Sequence, residues 1–206
     1  MVNNSRIIFI DSETTGVDSK INEMYQLAMI PSVEGHRESG KGISINISIL
    51  NFEAFDPVAL KMAEKRGITK ETILAYPCVQ IAFIQIKNFL DHFVSKYNKH
   101  EKFIVVGYRV EFDTDFLRAF FMARGDKFYG SYFMPYVIDV YRLAQMLFLS
   151  NRIELKNLKL TSIAKYFFPD EKFDAHDALE DIKITAKVYM AMRDKFFPWL
   201  PEVFDV

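Results

Sequence analysis

The sequence predicts an α/β protein built on a mixed central sheet. Three observations carry that reading. Strand-like apolar runs crowd the N-terminal quarter of the chain, helical patterns dominate the rest, and one β-branched run, Phe103–Val106, interrupts the helices. With 206 residues, 50% of them hydrophobic and 26% charged, the chain suits one folded domain with a sizeable core.

Arg6–Ile10 is a compact isoleucine-rich run and reads as a buried strand. Tyr25–Val33 and Ile43–Leu50 read as two more strands, joined as a hairpin through the polar stretch Gly35–Gly42. Pro57–Arg66 reads as a helix stopped by Gly67, and Val79–Tyr97 as a long amphipathic helix. Phe103–Val106 is a short strand ending at Gly107. Helices follow at about Asp113–Arg124, Tyr141–Leu149, Lys159–Phe167 and Ala178–Phe196. No internal repeat or low-complexity linker divides the chain.

Composition excludes some classes. A formal net charge of −1 gives no support to nonspecific gripping of long duplex DNA. It leaves room for an enzyme that holds a strand end through metals and a local patch. Cys78 is the sole cysteine, so no internal disulfide forms and a reducing compartment fits. Met1–Arg6 lacks the pattern of a signal peptide, and no apolar run approaches the ~20 residues of a membrane span. The expectation is a cytoplasmic protein. Most of the 20 phenylalanines are expected in the core.

Asp11 and Glu13 follow the first predicted strand. Two-residue spacing in extended chain places both carboxylates on one face, and Thr14-Thr15-Gly16 provides a turn. Two such carboxylates repel unless a cation lies between them, and hard oxygen ligands suit Mg²⁺ or Mn²⁺. An ordinary strand end with solvated acids is the competing reading, and Asp-x-Glu alone does not separate the two.

The segment Gly107-Tyr108-Arg109-Val110-Glu111-Phe112-Asp113 offers two aspartates, Asp113 and, just beyond it, Asp115. At ~100° per residue, Phe112, Phe116, Leu117, Phe120 and Phe121 define the inward face of the helix. Asp113 falls in the middle of that face and Asp115 nearly opposite. A carboxylate on an apolar face is costly unless paired or metal-bound; a favourable interaction with the helix dipole is the simpler account of its place near the helix start. In His176-Asp177-Ala178-Leu179-Glu180-Asp181, Asp177 and Glu180 have the spacing of an N-cap and its reciprocal partner. Asp181 then shares a face with Thr185, Val188 and Met192, and His176 sits in the loop before the helix. His36, His92 and His100 lie in polar surroundings and read as unremarkable. Together the four acids and His176 make a consistent two-metal site with an adjacent base.

Asp11-Ser12-Glu13-Thr14-Thr15-Gly16, Gly107 through Asp113, and His176 through Asp181 resemble the three motifs of the histidine-type DEDD 3′→5′ exonucleases. That family includes the epsilon proofreading subunit of bacterial DNA polymerase III. Between the motifs, Arg66-Gly67-Ile68-Thr69 with Pro77, Asp139 with Tyr141-Arg142-Leu143-Ala144, and Leu155 to Phe167 resemble further family segments. The resemblance runs from about Ile7 to Met192, leaving 193–206 as a C-terminal extension of a single exonuclease domain.

The resemblance implies a ribonuclease-H-like fold, a mixed five-stranded sheet flanked by helices. It also implies Asp11, Glu13, Asp113 and Asp181 as ligands of two Mg²⁺ or Mn²⁺ ions, and His176 as general base. Thr14 and the backbone of Thr15 would contact the terminal nucleotide, and Phe112 would support that pocket. One departure stands out: Tyr108-Arg109 replaces the family's His-Asn, whose asparagine helps order the substrate end of the site. Arg109 could pair with a phosphate or an acid there. The expected activity is hydrolysis at the 3′ end of single-stranded DNA, releasing nucleoside 5′-monophosphates, with a DNA polymerase as a candidate partner. The alternatives are an exoribonuclease of the oligoribonuclease or RNase T type and, more remotely, an inactive nucleic-acid-binding domain. Lys61, Lys65, Arg66 and Lys70, and Lys156, Lys159 and Lys165, form two basic clusters that are either strand paths or solvated faces. The aromatic end Phe196–Pro201 is expected to pack on the domain, with docking of a partner as the alternative.

Overall fold

The structure is a computed structural model that describes residues 6–173 and 177–206. The strands are β1 (Arg6–Thr14), β2 (Met24–Val33), β3 (Ile43–Asn46), β4 (Phe103–Gly107) and β5 (Phe133–Asp139). The helices are α1 (Pro57–Lys65), α2 (Lys70–Leu74), α3 (Val79–Phe93), α4 (Glu111–Ala123), α5 (Tyr129–Tyr132), α6 (Val140–Leu149), α7 (Leu160–Phe167) and α8 (Ala178–Phe196). The described residues form a five-stranded sheet in the order β3-β2-β1-β4-β5. β1 is antiparallel to β2 and parallel to β4, and β4 is parallel to β5. This is the mixed, ribonuclease-H-like arrangement that the resemblance implies.

β1 is an uninterrupted apolar run because both its faces are covered. Ile8 and Ile10 join one core with residues of α3 and α4, including Phe83, Ile86, Leu117 and Phe121. Ile7 and Phe9 alternate to the other face and pack with Ala144, Ile163, Ile182 and Tyr189 of α6, α7 and α8. A smaller cluster of Tyr25, Ile49, Phe55, Ala63 and Ile73 seats α1 and α2.

Several elements differ from expectation. β1 runs on to Thr14, so Asp11 and Glu13 lie within the strand, where they pair with Ala28 and Gln26 of β2. β3 stops at Asn46. α3 ends at Phe93, not Tyr97: the chain turns extended at the β-branched Val94, and Arg6 donates to the Phe93 carbonyl at 2.7 Å, taking one acceptor of the helix end. β5 was missed because Pro135 breaks its strand pattern; proline is tolerated there since β5 is the sheet's edge. The C-terminal segment does pack on the domain. Phe197 is buried, Tyr189 donates to the Pro201 carbonyl at 2.8 Å, and the Phe204 amide donates to Ser32 Oγ at 2.6 Å. Trp199 remains 74% exposed. Among the described residues, no helix is long and apolar enough to cross a membrane.

Candidate active site

Three elements deliver carboxylates to the C-terminal end of β1. Asp11 and Glu13 come from the strand itself. Asp113 comes from the first turn of α4 and Asp181 from the first turn of α8. The chain enters α4 through a close passage at Gly107, where an added Cβ would lie 2.9 Å from the Ile10 carbonyl oxygen. Only glycine lets β4 finish this near β1. Arg109 follows with φ 57°, a left-handed conformation uncommon for a side-chain-bearing residue. Asp139 Oδ1 steadies it by accepting from the Arg109 amide at 2.9 Å. α8 starts at Asp177, whose carboxylate accepts from the Leu179 and Glu180 amides at 3.0 and 3.3 Å. The other half of the expected capping box is replaced: Glu180 pairs with Lys183 at 2.6 Å.

Asp113 is 3% exposed, whereas Asp115 is exposed, as the helical face predicts. The Ser12 amide and hydroxyl donate to Asp113 Oδ1 at 2.8 and 2.6 Å. Burial nevertheless pushes the Asp113 carboxyl up to about 7, the Ser12 bonds opposing it and the charge on Glu13 adding to it. Asp11 is raised well above the ordinary carboxylate range. Burial is the largest cause, followed by the charges of Asp113, Asp181 and Glu13, with Arg66 opposing them. The charges of Asp113, Asp181 and Glu13 are therefore close enough to oppose the ionisation of Asp11.

Glu13 has a partner that the sequence did not indicate. α1 is capped by Asp56, whose own amide donates to the Thr15 carbonyl at 2.7 Å, and it stops at Gly67 with φ 77°. This brackets the helix against the end of β1 and turns Arg66, its last-turn neighbour, onto the site. Both guanidinium ends of Arg66 reach the Glu13 carboxylate, the Nη2–Oε2 contact at 2.8 Å, and Nη2 also donates to the Tyr25 hydroxyl at 2.7 Å. In the sequence Arg66 belongs to a basic cluster with Lys61, Lys65 and Lys70. Its last-turn position was legible, but a contact across 53 residues was not. Ser12 and Tyr25 were missed for the same reason.

Two clefts meet at Asp181. One, of about 520 Å³, is lined by Thr14, Val17, Val58, Met62, Phe112 and Arg66. The other, of about 870 Å³, holds Tyr108, Arg109, Tyr141, Phe148, Lys156 and Lys159, and reaches Asp11. The Arg109 guanidinium lies 4.5 Å from the Tyr141 ring centroid, and Tyr108 donates to the Leu158 carbonyl. Thr14 and Phe112 thus open on one cleft and Arg109 on the other. Thr15 lines neither cleft. It is fully buried, its amide donates to the Glu23 carbonyl at 2.8 Å, and its carbonyl is taken by Asp56. His176 lies outside the described residues. The rings of His36 and His92 meet at 5.2 Å over Phe93. They sit near the sheet end where Arg6 pairs with Val33, away from the carboxylates.

Among the described residues, no three His, Cys, Asp or Glu side chains are gathered tightly enough to hold a metal ion as they stand. The donor set still suits divalent cations. It consists of hard oxygen ligands whose mutual repulsion a cation would relieve, and one of them, Glu13, already binds a positive charge.

The RNase_T family of exonucleases matches residues 8–189. The chain belongs to this exonuclease family. No curated protein matches it significantly. Among solved structures, an exonuclease I matches with a TM-score of 0.72 at 19% identity, over 95% of this chain and 43% of the other. E. coli exonuclease I in complex with a 5cy-dT13 oligonucleotide matches at 0.69 and 18% identity, over 96% of this chain and 43% of that one. Exonuclease I from Methylocaldum szegediense matches at 0.68 and 18% identity, over 93% and 41%. At these identities the likeness is one of fold. The exonuclease-family chain spans less than half the length of the exonuclease I chains that it matches.

Proposed function

We propose that this chain is a metal-dependent 3′→5′ exonuclease acting on single-stranded DNA and releasing nucleoside 5′-monophosphates. The observation that carries the reading is the convergence of Asp11, Glu13, Asp113 and Asp181, from three separate elements, where two clefts meet. Those four carboxylates would hold two Mg²⁺ or Mn²⁺ ions, which when bound supply positive charge to the phosphodiester and ease deprotonation of the attacking water. Ser12 fixes the rotamer of Asp113 through two hydrogen bonds. His176, which precedes Asp177 in the sequence, is the proposed general base, since an imidazole can accept the water's proton around neutral pH.

The clefts suggest how a strand end would lie. The largely apolar cleft around Thr14, Val58, Met62 and Phe112 suits the terminal nucleoside. The cleft with Arg109, Lys156, Lys159 and three aromatic rings suits the following phosphates and bases. Arg109, stacked on Tyr141, takes the place of the family's asparagine there. Lys65 and Arg66 line one cleft and Lys156 and Lys159 the other, which favours a strand path over a purely solvated face for those members of the basic clusters.

DNA is favoured over RNA because the matched E. coli exonuclease I is described with deoxyoligonucleotides, dT13 and dA16. The resemblance to a proofreading subunit makes a DNA polymerase the protein partner to test. Digestion of DNA and RNA single strands of one sequence, with products identified by mass, tests the reading. Deoxynucleoside 5′-monophosphates from DNA at the faster rate are expected; faster RNA digestion would move the assignment to an exoribonuclease.

A further inference from the structure

Arg66 is placed to do more than balance charge at the surface. Its side chain and that of Glu13 are each only 21% exposed. The guanidinium takes both carboxylate oxygens of Glu13 and the hydroxyl of Tyr25, whose own weaker bond to Glu13 spans 3.4 Å. Tyr25 is 1% exposed and packs on Phe55 beside α1, so the hydroxyl is fixed by the core. Arg66 is also attracted by Asp181 and opposes the charge that raises Asp11. One cation thus interacts with three of the four proposed ligands.

The geometry points to Arg66 as a positioning residue that holds Glu13 in the metal-free protein and must release it when divalent cations bind. This rests on the metal-exonuclease reading above. A carboxylate with both oxygens committed to a guanidinium fork cannot offer an open coordination position without giving up part of that pairing. Charge balance supplies the other half of the argument. Two divalent cations on four carboxylates form a neutral set, so a retained Arg66 leaves one excess positive charge, the amount that one phosphodiester neutralises. Once displaced from Glu13, the guanidinium still borders the cleft assigned to the terminal nucleoside. Arg66 thus lowers metal affinity in the free enzyme and becomes a phosphate partner when strand and metal are present together.

The test compares the full chain with Arg66→Gln, Arg66→Lys and Tyr25→Phe. Mn²⁺ binding is measured by calorimetric titration without nucleic acid, beside melting curves in chelator and in Mn²⁺. Arg66→Gln is expected to bind Mn²⁺ roughly three- to tenfold more tightly, since one partly buried, charge-assisted pair no longer competes. Tyr25→Phe is expected to tighten binding in the same direction by less, because it removes only one support of the fork. At saturating Mn²⁺, Arg66→Gln should raise the KM for single-stranded DNA, with Arg66→Lys recovering part of the loss. A purely structural Arg66 would lower the melting temperature with and without metal and leave Mn²⁺ affinity unchanged or weaker, and that result overturns the proposal. Should Arg66→Gln fail to fold, unchanged Mn²⁺ affinity in both Arg66→Lys and Tyr25→Phe overturns it equally. Wild-type protein that takes up no Mn²⁺ sinks the exonuclease reading itself; normal wild-type binding without tightening in the variants sinks only the role of Arg66.

Discussion

Replacing Asp113 by asparagine should weaken divalent-cation binding at the proposed site yet stabilise the metal-free fold. The buried carboxyl binds its proton more tightly folded than unfolded, its value rising from 3.8 to about 7. The sign follows from linkage: between those values the native state holds the extra proton, so stability falls as pH rises through the window and levels off above it. At about 1.4 kcal/mol per pH unit, the full interval corresponds to a ceiling of roughly 4 kcal/mol above neutral pH. The amide side chain keeps an acceptor oxygen for the two Ser12 donors and carries no charge to repel Asp11 or Glu13, so Asp113→Asn should recover much of that cost. Urea unfolding in chelator, at intervals from about pH 5 to about pH 8, measures it. The stability advantage of the variant should grow with pH and then flatten. A variant less stable than wild type at the alkaline end would refute the claim that Asp113 is a buried charge tolerated for function.

Other consequences follow from the same site. His176→Ala should slow single-turnover hydrolysis by ~10²–10⁴-fold while Mn²⁺ and strand still bind, and the rise of rate with pH should vanish or move; lost Mn²⁺ binding would make His176 a ligand or a structural residue. Asp113→Ala should nearly abolish cleavage and Asp115→Ala should be mild, since only Asp113 is buried at the site; the reverse order in a gel assay would overturn the assignment. Neutralising Lys156 and Lys159 together should weaken strand binding and flatten its log–log salt dependence by roughly 1.4, two phosphate contacts at ~0.7 each for a single strand; an unchanged slope would make them a solvated face. Phe197→Ala should cost about 3–5 kcal/mol in urea unfolding, because its ring fills the core under α8; a loss well below ~1 kcal/mol would mean the C-terminal segment is not held as described.

What was legible in the sequence was periodic. The helical face that set Asp113 inward and Asp115 outward needed only ~100° per residue. Asp177 announced the start of α8 because a cap acts on amides two and three residues away. β5 was hidden by Pro135 in an edge strand, and the end of α3 by an apolar pattern that runs on past Phe93. Contacts between distant segments left no local trace. Ser12 reaches Asp113 across 101 residues and Arg66 reaches Glu13 across 53. Neither pair has a spacing rule. At Thr15 the turn after β1 uses both backbone groups within the protein, through Glu23 and Asp56, and no local pattern marks those partners.

On the proposed reading the converging carboxylates make a metal-dependent nuclease that works from the 3′ end. Single-stranded DNA labelled at either the 3′ or the 5′ terminus, incubated with Mg²⁺ or with chelator, separates this from other modes of cleavage. The 3′ label should leave at once as a mononucleotide, while the 5′-labelled strand shortens through a ladder, and both should stop in chelator and in Asp11→Asn. Early release of the 5′ label, or cleavage that persists in chelator, would contradict the account.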